Sequence, residues 1–242
     1  MDFAFLYDTF VSLLSGVPLT LNLALVSTAL GAVLAVLLTL MRLSSLRPLG
    51  WVAQFYVFVF RGTPLLVQMF VIYYGLGQFR PVLQSMGLWS FFREPYWCAI
   101  FALSLNTAAY ASEILRGGLQ AVPHREVEAA RASGMWGFLL YRRIIFPIAV
   151  RQALPAYASE VILMIKATSL ASVITMLEVT GLAAKLISQS YRAIEVFVVA
   201  GLIYLALNFA ITRLVALIEW RLSPHLRPVP TPAASGATPH HA

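Results

Sequence analysis

Long apolar runs occupy most of the chain, and the polar residues are gathered in the stretches between them. A helix needs about 20 apolar residues to cross a bilayer, and the runs repeatedly reach that length. The runs are continuous, whereas a membrane β-strand alternates apolar and polar residues. The pattern therefore predicts an all-α integral membrane protein with five transmembrane helices, over residues 17–41, 51–77, 96–115, 153–176 and 194–217.

The remaining segments complete the predicted organisation. Residues 1–16 precede the first span, and the only extended polar stretch covers residues 120–151. Residues 17–219 are predicted to form one transmembrane domain. The segment 220–242 is rich in proline, which favours a disordered tail.

Composition and charge add an orientation to this picture. Of the residues, 60% are hydrophobic and 11% are charged, whereas about 25% are charged in an average soluble domain. The net charge of +7 needs no nucleic-acid partner, because Lys and Arg accumulate in loops that stay in the cytoplasm. We therefore expect an external N-terminus and a cytoplasmic C-terminus. Only Arg80, Arg93, Lys185 and Arg192 lie near the outer ends, against ten inner arginines: Arg42, Arg47, Arg116, Arg125, Arg131, Arg142, Arg143, Arg151, Arg221 and Arg227.

The second span contains a helix-breaking sequence, Arg61-Gly62-Thr63-Pro64. Proline removes a backbone hydrogen bond, and the nearby glycine loosens the preceding turn. This span is therefore predicted to kink or break midway across the membrane.

The polar stretch 120–151 has the pattern of two short helices. Residues 122–132 are predicted to form the first, because Pro123 lies near its start and Gly134 is placed to end it. Residues 136–145 can form the second, closed by Pro147. Such a projection could dock on a partner, although an ordinary cytoplasmic linker is an equally simple interpretation from the residues alone.

The spacing of residues in this stretch resembles a known motif. Glu-Ala-Ala, a following Gly, and a later Ile-x-Leu-Pro ending make up the EAA motif in permease subunits of bacterial ABC importers. Phe146 stands where that motif has Leu. The resemblance implies that this segment is a cytoplasmic coupling helix that docks in an ATPase. The residues that carry it are Glu128, Ala129, Ala130, Gly134, Ile144 and Pro147.

Further segments resemble the polar amino acid permease family, in the right order, over roughly residues 17–219. They are residues 60–68, 106–118 and 166–172. Residues 122–124 and 156–164 look closest to HisM-like subunits of histidine/lysine/arginine/ornithine and opine importers. The resemblance implies a type I ABC importer permease fold in the bacterial inner membrane. It also implies a second permease subunit (a sister chain), two ATPases and an external solute-binding protein.

Arg61, Glu113, Glu160 and Lys166 are charged residues within predicted spans, where each costs about 2.5–3.5 kcal/mol or more. Arg61 and Glu113 are predicted to form a structural ion pair, with Glu160 as the alternative partner for Arg61. Glu160 is itself predicted to line the translocation pathway and to meet the positive end of the substrate. Lys166, with the residues that follow it, forms either part of an external gate or a packing surface. The predicted substrate pathway comprises Glu160, Arg61, Thr63, Gln68, Thr168 and Ser169.

Catalytic chemistry is not apparent in the sequence. It contains no Gly-x-x-x-x-Gly-Lys-Ser/Thr loop, the signature of a phosphate-binding ATPase loop, so ATP and Mg²⁺ are expected on a partner chain. No metal site and no cofactor are predicted. Three alternatives remain open: a permease for neutral polar amino acids, an ion-driven secondary transporter that uses Arg61 and Glu160 as a proton relay, and a membrane enzyme or assembly scaffold.

Overall fold

The computed structural model describes residues 3–222, and all regular structure within that range is helical. Two π-helical turns join consecutive helices without a loop, and one 3₁₀ segment continues another helix directly. The helices are α1 (Phe3–Leu14), α2 (Val17–Leu43), α3 (Arg47–Gly62), α4 (Leu65–Phe70), α5 (Leu76–Gln78), α6 (Arg80–Ser85), α7 (Trp89–Phe92), α8 (Pro95–Gln120), α9 (His124–Ala132), α10 (Gly137–Leu140), α11 (Phe146–Ala167), α12 (Val179–Ser190) and α13 (Ala193–Leu222).

The fold is an all-α membrane fold, as predicted. Among the described residues, four helical stretches are long and apolar enough to cross a membrane, and a bent pair makes a fifth. The first stretch, Phe3–Leu43, also includes α1, which the sequence analysis placed in a segment before the first span. Because α1 packs against α12 and α13, that segment is part of the folded bundle.

The centre of the bundle is formed by α2, α8 and α11. Small residues let these helices approach closely. A Cβ atom at Gly31 of α2 would lie 2.8 Å from the Thr107 side chain of α8. At Gly118 of α8 it would lie 2.6 Å from the Ala149 carbonyl oxygen of α11. The helix backbones therefore pack almost directly against each other.

The predicted break in the second span is confirmed. Helix α3 ends at Gly62, and the stretch Leu65–Gln78 continues at an angle of 105° to it. Thr63 and Pro64 between them are extended. Because proline lacks an N–H group and disfavours the helical conformation of the preceding residue, the helix ends here and restarts in a new direction.

The structure of the polar stretch 120–151 confirms one predicted helix and corrects the other. Helix α9 lies within predicted residues 122–132, and Gly134 follows it in the left-handed conformation with φ +80°. Pro147 does not close a helix, which is a correction to the prediction. The π-helical turn Tyr141–Ile145 leads directly into α11, and Pro147 lies in the first turn of α11, where its missing N–H is tolerated.

The segment after the fourth span is also more ordered than a connecting loop. The fourth span continues beyond α11 as the 3₁₀ segment Thr168–Ile174, and residues 179–190 then form α12. Helix α13 reaches Leu222. The rest of the predicted disordered tail, residues 223–242, lies outside the described residues.

Candidate translocation site

Glu160 projects from the middle of α11 and is 9% exposed. Within residues 3–222 its carboxylate has no hydrogen-bond partner and no cation within 4.0 Å. Arg61 nevertheless lies close enough for its charge to act on Glu160. A buried carboxylate without a fixed donor can still accept hydrogen bonds from a ligand.

Arg61 lies at the end of α3, beside the break, and its guanidinium group stacks on the ring of Tyr110 in α8 at 5.1 Å from the ring centroid. The predicted ion pair between Arg61 and Glu113 is wrong. Glu113 pairs instead with Arg42 from the end of α2 and, at 2.8 Å, with Arg116 one turn along its own helix. These two arginines surround Glu113 because α2 packs along α8 and ends beside it.

Gln68 and Thr63 stabilise the break through hydrogen bonds. The Gln68 amide nitrogen donates to the carbonyl oxygens of Phe60 and Thr63 at 2.9 and 3.0 Å, and to the Thr63 hydroxyl at 2.8 Å. Asn106 of α8 donates to the Gln68 amide oxygen at 3.0 Å. Carbonyl groups that lose their helical partners at the break are thereby satisfied. Both predicted pathway residues therefore have a structural role beside Arg61.

Thr168 and Ser169 lie in the 3₁₀ segment after α11. Their hydroxyl groups donate to the carbonyl oxygens of Ile165 and Lys166, each at 2.7 Å. Ser169 and Lys166 line a cavity of about 320 Å³ together with Thr180 and Tyr204. Thr168 is buried and interacts with Tyr204. These two residues thus belong to a polar cluster separate from the break.

The centre of that cluster is Glu178, which is fully buried and was not predicted from the sequence. Its carboxylate accepts hydrogen bonds from the backbone N–H groups of Thr180 and Gly181 at 2.9 and 2.8 Å, which caps the start of α12. It also accepts one from the Tyr204 hydroxyl at 2.7 Å. Burial raises the pKa of the Glu178 carboxyl, and these hydrogen bonds oppose that rise. An acidic residue just before a helix was the available signal.

The residues of the EAA-like motif lie on and after α9. Glu128 and Ala129 are exposed, whereas Ala130 is buried. Gly134 ends the α9 turn. The later residues, Ile144 and Pro147, lie on the π-helical turn and at the start of α11. The motif therefore covers a short helix and the segment that connects it to a membrane helix.

Residues 27–224 match the family described as binding-protein-dependent transport system inner membrane component. The chain belongs to this family. It is therefore a non-catalytic, multi-pass permease subunit of an ABC importer in the inner membrane, and it depends on a binding protein and an ATPase. This membership also argues against the enzyme and secondary-transporter alternatives.

Similar permeases have been named for several transport systems. The octopine transport system permease OccM of Rhizobium meliloti is 60% identical over 93% of this chain and 92% of its own. The nopaline permease NocM of Agrobacterium fabrum is 59% identical over 94% of each chain. The histidine/lysine/arginine/ornithine permease HisM of Escherichia coli K12 is 39% identical over 90% of this chain and 91% of its own.

Solved structures agree with the fold. A crystal structure of an amino acid ABC transporter with histidines superimposes with a TM-score of 0.82 and 34% identity, over 91% of this permease and 99% of that chain. An inward-facing structure of the MetNI methionine ABC transporter gives a TM-score of 0.67 at 20% identity, over 87% and 95% of the two chains. The second comparison supports the fold alone.

Proposed function

We propose that this permease imports cationic amino acids or opines across the inner membrane. Its similarity to permeases of octopine, nopaline and histidine/lysine/arginine/ornithine systems carries the proposal. Neutral polar amino acids are the alternative substrate class, because a binding protein can select the substrate before it reaches the permease.

Glu160 supports the cationic class. A carboxylate held away from fixed donors gains most from a cationic ligand, since charge-assisted hydrogen bonds are about twice as strong as neutral ones. Arg61 lies close enough for its positive charge to act on Glu160, and it can attract the carboxylate group of an amino acid. The two charges would thus orient a substrate with a positive side chain and a negative carboxylate group. In this proposal Thr63 and Gln68 hold the break that positions Arg61, while Thr168 and Ser169 belong to an outer gate.

The proposed assembly contains this chain, a sister permease, two ATPase subunits that bind ATP and Mg²⁺, and an external solute-binding protein. The N-terminus lies outside and the C-terminus in the cytoplasm, as the distribution of arginines favours. Helix α9 docks in an ATPase, so that ATP-driven movement reaches the membrane helices through the connection from α9 to α11. A rigid helix at that position would transmit a shift between outward- and inward-facing states.

The substrate class can be tested by reconstituting the complete transporter with its binding protein. Uptake of labelled arginine would be measured in competition with octopine, nopaline, lysine, ornithine and glutamine. We expect a cationic amino acid or an opine to compete at least tenfold better than glutamine. Stronger competition by glutamine would contradict the proposal and favour neutral polar amino acids as the substrates. Uptake that persists without the ATPase and stops with an uncoupler would instead contradict the importer mechanism.

The coupling role of α9 can be tested by reversing one charge. Residues 126 and 128 point in directions about 200° apart on a helix, so Glu126→Lys is a matched control for Glu128→Lys. We expect Glu128→Lys to abolish ATPase co-purification and transport while membrane insertion is unchanged. Gly134→Asp should do the same, because φ +80° is strained for any side chain. Normal ATPase recovery with Glu128→Lys would contradict docking through this face.

A further inference from the structure

A cavity of about 830 Å³ lies where α2 ends, α3 begins and α8 ends, next to α9. It brings together parts of the chain that are far apart in sequence. Its lining is both basic and apolar, and it includes Glu128 of the EAA-like motif. The lining includes Arg42, Arg47, Trp51, Arg116, Glu128 and Arg131.

Positive charge in this cavity exceeds what nearby carboxylates neutralise. Four arginines line it, and Glu128 is the acidic residue of the lining. Glu113 pairs with both Arg42 and Arg116, so a single carboxylate is shared by two cations. Arg47 and Arg131 have no carboxylate within 4.0 Å in the part of the chain that the structure describes. The cavity is therefore a place where an anion would be stabilised.

Apolar residues complete the lining. Trp51, at the start of α3, is 76% exposed, and Leu43, Leu119 and Val122 lie at the ends of α2 and α8. Tryptophan beside arginine at a helix end is typical of the headgroup region of a bilayer. A ligand with a phosphate group and an attached acyl chain would match both halves of this lining.

We propose that this cavity binds the phosphate group of an anionic phospholipid. Arg47 on α3 and Arg131 on α9 hold the phosphate, and the acyl chain lies along Trp51. The ends of three membrane-crossing helices contribute to the cavity, which favours a lipid over an acidic surface of the ATPase. The proposal requires only that these helices cross the membrane, so it is independent of the proposed substrate and orientation.

A lipid at this position would connect α9 to the membrane helices. Arg131 follows the Glu-Ala-Ala sequence directly and also stacks on Trp136, 5.7 Å from the ring centroid. A phosphate held between Arg47 and Arg131 would fix the position of α9 relative to α3. Coupling between the ATPase and the permease would then depend on the lipid composition.

The test uses the full chain in nanodiscs of phosphatidylcholine with or without phosphatidylglycerol. Lipids that stay bound after extraction are counted by native mass spectrometry. Each arginine near a lipid surface contributes about fivefold to the affinity, so Arg47→Gln/Arg131→Gln should lower phosphatidylglycerol retention by about 25-fold. Arg142→Gln/Arg143→Gln removes the same charge from the neighbouring turn, outside the cavity lining, and should lower retention clearly less than the first pair. Each single variant is measured as well, in case the first pair does not fold.

Equal losses in the two double variants would overturn the proposal, as would equal retention of phosphatidylcholine and phosphatidylglycerol by the original chain. A second experiment measures the binding of inorganic phosphate to the permease in phosphatidylcholine nanodiscs. Phosphate binding that is as strong as lipid retention and sensitive to Arg47→Gln would overturn the lipid as the occupant. Loss of the lipid whenever the ATPase binds would instead assign the cavity to that partner. Retention that survives ATPase binding supports the lipid.

Discussion

Two buried carboxylates in this permease have opposite surroundings. Glu178 sits between the 3₁₀ segment and α12 and receives hydrogen bonds from two backbone N–H groups and the Tyr204 hydroxyl. Glu160, on α11, is nearly as buried but receives none within residues 3–222. The Glu178 carboxylate thus has its hydrogen-bond donors within the protein, whereas the Glu160 carboxylate, without a donor among the described residues, can accept hydrogen bonds from a ligand.

This difference indicates how a membrane protein can separate structural from functional charge. A buried acid whose donors are fixed stabilises the fold, because removing it leaves each donor unsatisfied. A buried acid without donors costs stability and is retained where a ligand or a partner completes it. Burial alone would have placed Glu160 and Glu178 in one class, and the hydrogen bonds distinguish them.

The largest expected effect is loss of the folded protein in Glu178→Ala. Three donors would lose their acceptor in a buried site, at a cost of about 1–3 kcal/mol each. We expect the variant to be lost from the monodisperse peak in size-exclusion chromatography in detergent. Glu195→Ala is the matched control, because Glu195 starts the next helix and accepts no hydrogen bond within the described residues. If both variants were equally stable, Glu178 would not have its structural role.

A large effect on transport alone is expected for Glu160→Gln. The amide keeps the shape of the side chain but removes the charge that would meet a cationic substrate. Loss of a charge-assisted hydrogen bond worth about 1.5–3 kcal/mol lowers uptake by about 10- to 100-fold. Uptake of arginine and expression level are measured together, with the exposed Glu94→Gln as control. Unchanged ATP-coupled uptake would remove Glu160 from the pathway.

The smallest effect is expected for Tyr204→Phe, which removes one donor from Glu178 and leaves the two backbone donors in place. A loss of about 1 kcal/mol is expected, which lowers the melting temperature by about 2–4 °C for a chain of this size. Thermal unfolding in detergent measures the shift. Tyr191→Phe, at an exposed position, should not change the melting temperature. Equal shifts in the two variants would show that the Tyr204 hydroxyl contributes no stability.

Much of this fold could be predicted from local sequence signals. The break at Pro64 was predicted at the right residues, whereas Pro155 lies inside α11 without ending it. Pro123 and Gly134 likewise bracket α9, because proline and glycine act through backbone geometry that needs no tertiary context. Pro147 was misjudged, since the same residue can end a helix or lie in its first turn, and neighbouring structure decides between them.

The partners of buried charges could not be predicted in the same way. The position of Arg61 along its span gave a depth but no rotation about the helix axis, so Glu113 appeared to be within reach. In the structure, Arg61 instead stacks on the ring of Tyr110, and Glu113 forms salt bridges with Arg42 and Arg116. Glu178 was missed because its role depends on Tyr204, 26 residues later. Such pairs arise from helix packing, which a single sequence does not encode locally.

The close contact at Gly118 has a mechanical consequence. Because the carbonyl oxygen of Ala149 lies so near Gly118, α8 and α11 cannot slide past each other without a collision between their backbones. At Gly62 an added Cβ would meet no atom within 4 Å, and the hydrogen bonds of Gln68 hold the bend there instead. We therefore expect α8 and α11 to move as one unit in a transport cycle.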